Sequence, residues 1–233
     1  MASLHRYGDH PSQVCELYGS GKHVAVLIHG GFWRQRYGRE LEGGIARDLV
    51  ARGWAVWNVE YRRLGGGGGW PATLEDVAEA IHALPLEAER VAIGHSAGGQ
   101  LAVWAAAEGL VDAAVSQAGA LDLDELSRLG TSDSVVNQLL GGTPEEVPHR
   151  YEQASPRRRL PIGMPLLLVH GERDDDVPVH VSREFAAAAR EAGDDCELVV
   201  IGDESHYEHL EPGSRCWAAT TSWLEAWSDD HGR

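Results

Sequence analysis

Short runs of consecutive apolar residues recur along the chain, and the stretches between them carry apolar positions three and four residues apart. Val24-Ala25-Val26-Leu27-Ile28 is continuous rather than alternating, the signature of a parallel strand covered on both faces. Ala55 to Tyr61, Arg90 to Gly94, Val111 to Ser116, Leu166 to His170 and Cys196 to Ile201 read the same way. Between them, Leu74, Val77, Ala78, Ile81 and Leu84 form one helical stripe, and Leu41, Ile45 and Leu49 another. A last helix carries Trp217, Leu224 and Trp227, while Gly53 and Pro85 stand where the first two helices should stop. Strand–helix alternation of this kind predicts an α/β fold: a mostly parallel central sheet, right-handed crossovers and helices on both faces.

No linker separates two folding units, so 1–233 reads as one domain. The regular pattern breaks from Leu121 to Gly163, where Gly141-Gly142, several prolines and Arg157-Arg158-Arg159 interrupt it. The stretch 121–163 is long for a connection and is expected to form a small helical insertion over the sheet edge, in the position of a lid. Gly65 to Gly69 lacks the spacing of a phosphate loop and reads as a flexible surface loop.

Composition narrows the function class. Apolar residues make up 43% of the 233 residues and charged residues 24%, as in a soluble protein with a sizeable core. No apolar stretch approaches the roughly 20 residues that span a bilayer. The first residues lack the apolar segment of a secretory signal, and three cysteines make no even disulfide framework, so a cytoplasmic location is expected. A net charge of −16 argues against nucleic acid and against an anionic membrane surface as partners. A small molecule is the expected partner, and a homodimer stays open.

Chemistry concentrates at Gly94-His95-Ser96-Ala97-Gly98. This G-x-S-x-G follows the strand Val91-Ala92-Ile93 and precedes an apolar helix, the context that turns a common motif into a nucleophile elbow. The turn lifts the Ser96 hydroxyl above the sheet and leaves the Ala97 N–H at a helix N-terminus. A serine needs a base and the base an orienting group, which in this fold class follow in the order Ser, Asp or Glu, His. Leu166 to His170 runs into Gly171-Glu172-Arg173-Asp174-Asp175-Asp176, and Leu198 to Ile201 runs into Gly202-Asp203-Glu204-Ser205-His206. Asp174 is the expected acid, with Asp175 and Asp176 as alternatives if the loop is shifted. His206 is the expected base among 12 histidines, with His209 its competitor and His95 a pocket wall.

His29-Gly30-Gly31-Phe32-Trp33 ends an early strand, where a second oxyanion donor belongs. N–H groups of Gly31 and Phe32 would meet that of Ala97, and each such donor is typically worth about 10²–10³ in rate. Phe32 and Trp33 would wall the substrate site; core packing is the competing reading for both and stands for Trp33. No H-E-x-x-H or other metal-ligand cluster stands out, so neither metal nor cofactor is expected.

With these residues in place, the chain resembles the α/β-hydrolase superfamily over almost its whole length. More narrowly it is similar to small esterases and kynurenine formamidase-like arylformamidases, which carry the His-Gly-Gly-x-Trp seen at His29 to Trp33. Further similar stretches are Tyr7-Gly8 with Pro11-Ser12-Gln13 and Glu16-Leu17-Tyr18, then Glu60-Tyr61-Arg62, then Trp70-Pro71 with Asp76. The resemblance implies the same Ser96, Asp174, His206 triad, and the chain departs from it in having a reduced N-terminal sheet and little cap. The expected function is serine-dependent hydrolysis of a carboxylic ester of a small or aryl substrate, with hydrolysis of an N-formyl arylamine such as N-formylkynurenine as the alternative. A non-catalytic binding protein on the same fold would not need every triad role filled. Acyl transfer to an alcohol would need a lid that excludes water.

Overall fold

A computed structural model describes residues 2–130 and 134–231. Its centre is an eight-stranded sheet in the order β1-β2-β4-β3-β5-β6-β7-β8. The strands are β1 (Ser3–Arg6), β2 (Val14–Tyr18), β3 (His23–Ile28), β4 (Ala55–Val59), β5 (Glu89–His95), β6 (Ala113–Gln117), β7 (Leu166–Gly171) and β8 (Cys196–Ile201). From β4 to β8 all neighbours are parallel, and β1 and β2 extend the edge as antiparallel strands.

The helices are α1 (Gly43–Ala51), α2 (Ala72–His82), α3 (Ala97–Ala107), α4 (Leu123–Leu129), α5 (Val135–Leu140), α6 (Pro148–Ala154), α7 (Val179–Ala192) and α8 (Arg215–His231). They cover both faces, which is why the strands need no polar side. In β3, Val24, Val26 and Ile28 enter a core shared with α2, α3 and α7. Ala25 and Leu27 enter the opposite one, shared with α1 and α8. In β7, Leu166 and Leu168 part from Leu167 and Val169 in the same manner. Each Val, Leu or Ile side chain among them taken fully out of water contributes roughly 1.5–3 kcal/mol.

Four expectations change. Val14–Tyr18 and Ser3–Arg6 are strands that no continuous apolar run announced, because an edge hairpin is covered on fewer sides. Strand β4 stops at Val59, and Glu60-Tyr61 leave the sheet for a polar cluster described below. Strand β6 begins at Ala113, since Gly109 and Leu110 still close α3 through bonds to Ala106 and Ala105. The glycine run at 65–69 is a turn folded onto its own base, with the N–H groups of Gly66 and Gly68 both donating to the Arg63 carbonyl.

The insertion between β6 and β7 consists of α4, α5, α6 and a 3-10 turn at Pro156–Arg159. Within that expected lid, 131–133 lie outside the described residues. No helix among the described residues is long and apolar enough to cross a membrane.

Ahead of α1, Glu42 ends a 3-10 turn and is fully buried, with Oε1 lacking a hydrogen-bond partner. A helix N-terminus favours a negative charge by about 1 kcal/mol, yet burial pushes this carboxyl up to about 8. Desolvation wins. Between the ordinary carboxylate range and pH 8 the native state holds a proton that the unfolded chain has lost, so stability falls as pH rises through that window. The full cost is up to about 5 kcal/mol at 1.4 kcal/mol per pH unit. Glu42→Gln is expected to remove this slope. Urea unfolding at pH 5 and pH 9 should show the variant gaining at least about 2 kcal/mol on the wild type at the higher pH.

Candidate active site

The register brings two strand ends level. Ile28 pairs with Gly94, so the chain leaves β3 through His29-Gly30-Gly31 beside the point where it leaves β5 through Ser96. Ser96 has φ 55° and ψ −117°, left-handed backbone that only a tightly held turn maintains. The flanking glycines allow it: a Cβ on Gly98 would sit 1.8 Å from the Ile28 carbonyl oxygen. The Ser96 N–H donates to the Gln117 carbonyl at 2.8 Å, which pins the elbow to β6. Helix α3 then begins at Ala97, whose N–H lies in the first turn and has no upstream helical carbonyl to meet.

His206 and Asp174 come together from the loops after β8 and β7. His206 Nδ1 lies 2.6 Å from Asp174 Oδ2, and both side chains are buried. The other carboxylate oxygen accepts the N–H groups of Asp176 at 2.9 Å and Val177 at 2.8 Å. Burial alone would raise this carboxyl, but hydrogen bonds from His170 and His206, the charge of His206 and the Val177 N–H hold it well below the usual carboxylate range. With Nδ1 committed to Asp174, Nε2 is the nitrogen left for proton transfer. His206 and Ser96 line one small cavity.

The rival residues lie elsewhere. Asp176 gives its backbone N–H to Asp174, which settles which acid meets the imidazole. His209 is fully buried, and neither ring nitrogen has a hydrogen-bond partner. Burial, with the charges of His95, His170 and His206 adding to it, drives His209 well below the ordinary imidazole range. His95 is pushed down to about 3 by burial and then by His206, and its Nε2–H donates to the His206 carbonyl at 2.6 Å. A neutral His95, with its one ring proton on Nε2, therefore holds the His206 backbone in place and carries no positive charge at neutral pH.

Gly31, Phe32 and Trp33 all have positive φ, at 103°, 56° and 51°, so the loop after β3 curls back over the elbow. At Gly31 a Cβ would sit 2.4 Å from that of Tyr37. The curl is held from behind by a buried polar bracket. His29 stacks on Tyr61 at 4.4 Å and bonds Glu60 Oε1 through Nε2 at 3.0 Å, while the Tyr61 hydroxyl donates to the His29 carbonyl at 2.7 Å. Glu60 also takes Arg63 and the Arg39 N–H, and the Tyr7 hydroxyl reaches the Glu60 carbonyl at 2.6 Å. Asp76 receives Gln13 Nε2 together with the Arg62 backbone N–H and guanidinium. The scattered stretches around Tyr7, Gln13, Glu60 to Arg62 and Asp76 are thus one assembly.

Breaking this bracket should be costly. Glu60 is held below the usual carboxylate range because His29 and Arg63 outweigh its burial. Glu60→Ala leaves Arg63 and His29 without their carboxylate, a change worth about 3–5 kcal/mol. The variant is expected to unfold at a correspondingly lower urea concentration, and full wild-type stability would contradict the bracket's role.

Two chambers meet at Ser96 and Phe32. The larger, of about 260 Å3, is apolar and is walled by Trp33, Ala97, Ala120, Leu126, Val136 and Val177 among others. The smaller, of about 60 Å3, lies against Gly31, Tyr37, Leu41, His95, His206 and Leu210. Phe32 walls both, and His95 the smaller. Trp33 is buried, and its Nε1–H donates to Gln100 at 3.2 Å, so it serves the core and the chamber wall together. Among the described residues no group of three or more His, Cys, Asp and Glu side chains is placed to hold a metal ion.

The model of the family described as BD-FAE matches residues 18–188, a span that includes the elbow, the His29 to Trp33 loop and Asp174. The chain belongs to the BD-FAE family. The span stops short of His206, so that residue rests on the geometry. Among curated proteins, this BD-FAE chain is 26% identical to Esterase LipC of Mycobacterium tuberculosis, over 79% of its own length and 54% of that protein's. It therefore spans about half the length of that relative. It is also 26% identical to the "Uncharacterized peptidase YtmA" of Bacillus subtilis, over 92% of this chain and 95% of that one. Among solved structures, a truncated form of a carbohydrate esterase from gut microbiota superposes with TM-score 0.85 at 19% identity, covering 97% of this chain and 96% of the other. That likeness establishes the α/β-hydrolase fold.

Two residues at the BD-FAE site escape a reading of motifs. His170, the penultimate residue of β7, touches Asp174, but as the last residue of an apolar run it looks like a strand terminus. Tyr207 stands edge-on to the His206 ring at 5.1 Å, and nothing in its spacing from Ser96 or Asp174 points to the site.

Proposed function

We propose that this BD-FAE chain is a serine hydrolase of carboxylic esters. Ser96 attacks the acyl carbon, and His206 Nε2 takes the hydroxyl proton. Asp174 holds the imidazole tautomer and stabilises the imidazolium. The N–H groups of Ala97 and of Gly31 or Phe32 receive the oxyanion. His206 then returns its proton to the departing alcohol and activates the water that frees the acyl group. The observation that carries this reading is the 2.6 Å bond from His206 to Asp174, formed in the cavity wall that also holds the strained Ser96.

The chambers suggest which half of the ester goes where. The leaving alcohol must lie against His206 to be protonated, and that side offers about 60 Å3. The acyl group takes the other side, where about 260 Å3 is lined mainly by aliphatic residues. A bulky apolar acyl group on a small alcohol fits this division. A formyl group would leave the larger chamber nearly empty, which disfavours N-formylkynurenine.

Methyl phenylacetate and benzyl acetate contain the same atoms with the bulk on opposite sides of the ester, so their rates compare the chambers directly. Titration of released acid is expected to give methyl phenylacetate a kcat/KM at least about tenfold higher, on the scale of one or two well-fitted apolar groups. A preference for benzyl acetate would reverse the assignment. N-formylkynurenine turned over faster than both would make the protein an arylformamidase.

A further inference from the structure

Asp174 Oδ2 faces two imidazoles. Beside His206 Nδ1 at 2.6 Å, His170 Nε2 lies 3.1 Å from the same oxygen. The Val177 carbonyl, which can only accept, is 2.9 Å from that His170 nitrogen, so Nε2 carries a proton and shares it between the carbonyl and the carboxylate. The opposite nitrogen, Nδ1, is 2.7 Å from Ser182 Oγ and accepts the Ser182 hydroxyl proton. His170 is fully buried and Ser182 nearly so. The ring is thus fixed in one tautomer by partners from β7's own loop and from α7.

A carboxylate that already accepts two backbone N–H groups and one imidazole has no need of a further donor for its stability. The extra donor bears on the oxygen that serves the base. Electron density drawn toward His170 is withheld from His206, so the carboxylate holds an imidazolium less firmly. The other groups facing this pair are few. His95 on β5 and His209 beyond β8 both interact with His170, His206 and Asp174, and Tyr207 lies edge-on to His206. Both of those histidines are held neutral by burial, and α7 contributes Ser182, which does not titrate.

We propose, building on the hydrolase reading, that His170 is a positioning residue that competes with His206 for Asp174 Oδ2 and so sets how readily His206 takes up a proton. It touches no substrate and acts through Asp174. The chemical consequence is a base that sheds its proton at lower pH than an unopposed Asp–His pair would.

The test is an NMR titration of the His206 ring in selectively ¹⁵N-histidine-labelled protein, set beside the pH profile of kcat/KM on methyl phenylacetate. In His170→Phe the midpoint of His206 is expected to rise by about 0.5 to 1 pH unit, and the acidic limb of the rate profile to move with it. His170→Gln keeps an N–H donor near the same place and should return the midpoint toward that of the wild type. Ser182→Ala leaves the ring in position but weakens it as a donor, so a smaller rise in the same direction is expected; it serves if His170→Phe does not fold.

An unchanged midpoint in all three variants, with any lost activity following the folded fraction by circular dichroism, overturns the proposal. The titration needs no substrate. A midpoint that rises in a protein inert toward esters upholds the coupling and defeats the hydrolase reading. An active enzyme whose midpoint stays fixed defeats the coupling alone.

Discussion

Ser96→Ala is expected to lower kcat for ester hydrolysis by about 10⁴–10⁶, the scale on which a triad nucleophile acts together with its base. The fold should survive. Ser96 takes its backbone strain from the elbow, where its N–H is tied to Gln117 and Gly98 lets α3 approach Ile28, and none of these contacts uses the hydroxyl. Alanine at φ 55° pays the same strain of about 1–3 kcal/mol, so the melting temperature should hardly move. Ser96→Gly sharpens the comparison, because glycine adopts positive φ without steric cost. It should be equally inactive and more stable by about 1 kcal/mol, as expected where a strained residue is kept for its chemistry. The pair is read by acid release and by calorimetry. Activity in Ser96→Ala above about one hundredth of wild type would remove the serine from the mechanism.

How much of this is legible in the sequence depends on where the signal resides. Parallel strands covered on both faces leave an unmistakable trace, and Val24 to Ile28 or Leu166 to His170 could hardly be read otherwise. The elbow was equally open, since Gly94-His95-Ser96-Ala97-Gly98 needs only its strand and helix as context. Asp174 and His206 were readable as residues in loops after strands. Chain order also implies that they meet; which of the neighbouring carboxylates and histidines does so depends on the loops that follow the β7–β8 register, where Gly171 pairs with Ile201. The hairpin of β1 and β2 was missed because it pairs at an edge and mixes polar with apolar positions.

The polar bracket was the least legible part. Glu60, Arg62, Asp76 and Gln13 each look like surface residues in a solvated, acidic chain, and composition gives no hint that they are packed together. Only in three dimensions does Arg62 bind Asp76 while Glu60 binds His29. Such clusters are expensive to bury and are tolerated where their charges are paired, as those of Glu60 and Asp76 are here, although Nε of Arg39 and of Arg63 has no hydrogen-bond partner. The clusters fix the loop after β3, whose backbone N–H groups we propose receive the oxyanion. A loop of three successive positive-φ residues, two of them aromatic, would not hold that shape on local preference alone.

The same dependence on exact pairing makes Asp174→Asn the second large effect. Asparagine can keep the bonds from the Asp176 and Val177 N–H groups with its carbonyl oxygen. Its amide nitrogen then occupies the place of Oδ2 and donates toward two imidazole nitrogens that are themselves donors. His206 relieves the conflict by leaving Nδ1 bare and carrying its proton on Nε2, where it can no longer accept one from Ser96. A loss of about 10⁴ in kcat is expected, with KM little changed. Stability should respond in a pH-dependent way. Asp174 is held well below the ordinary carboxylate range, so its contribution is fully present above that range, begins to fall as pH drops through it and is gone only below the folded-state value. The variant should therefore be less stable than wild type by about 1–3 kcal/mol at pH 7, and the gap should narrow toward pH 3. Urea midpoints at the two pH values, with kcat per active site, check both halves. If Asp174→Asn stays within tenfold of wild type while Asp176→Asn collapses, the acid that orients His206 is the neighbour, and the loop sits two residues out of register from the arrangement described.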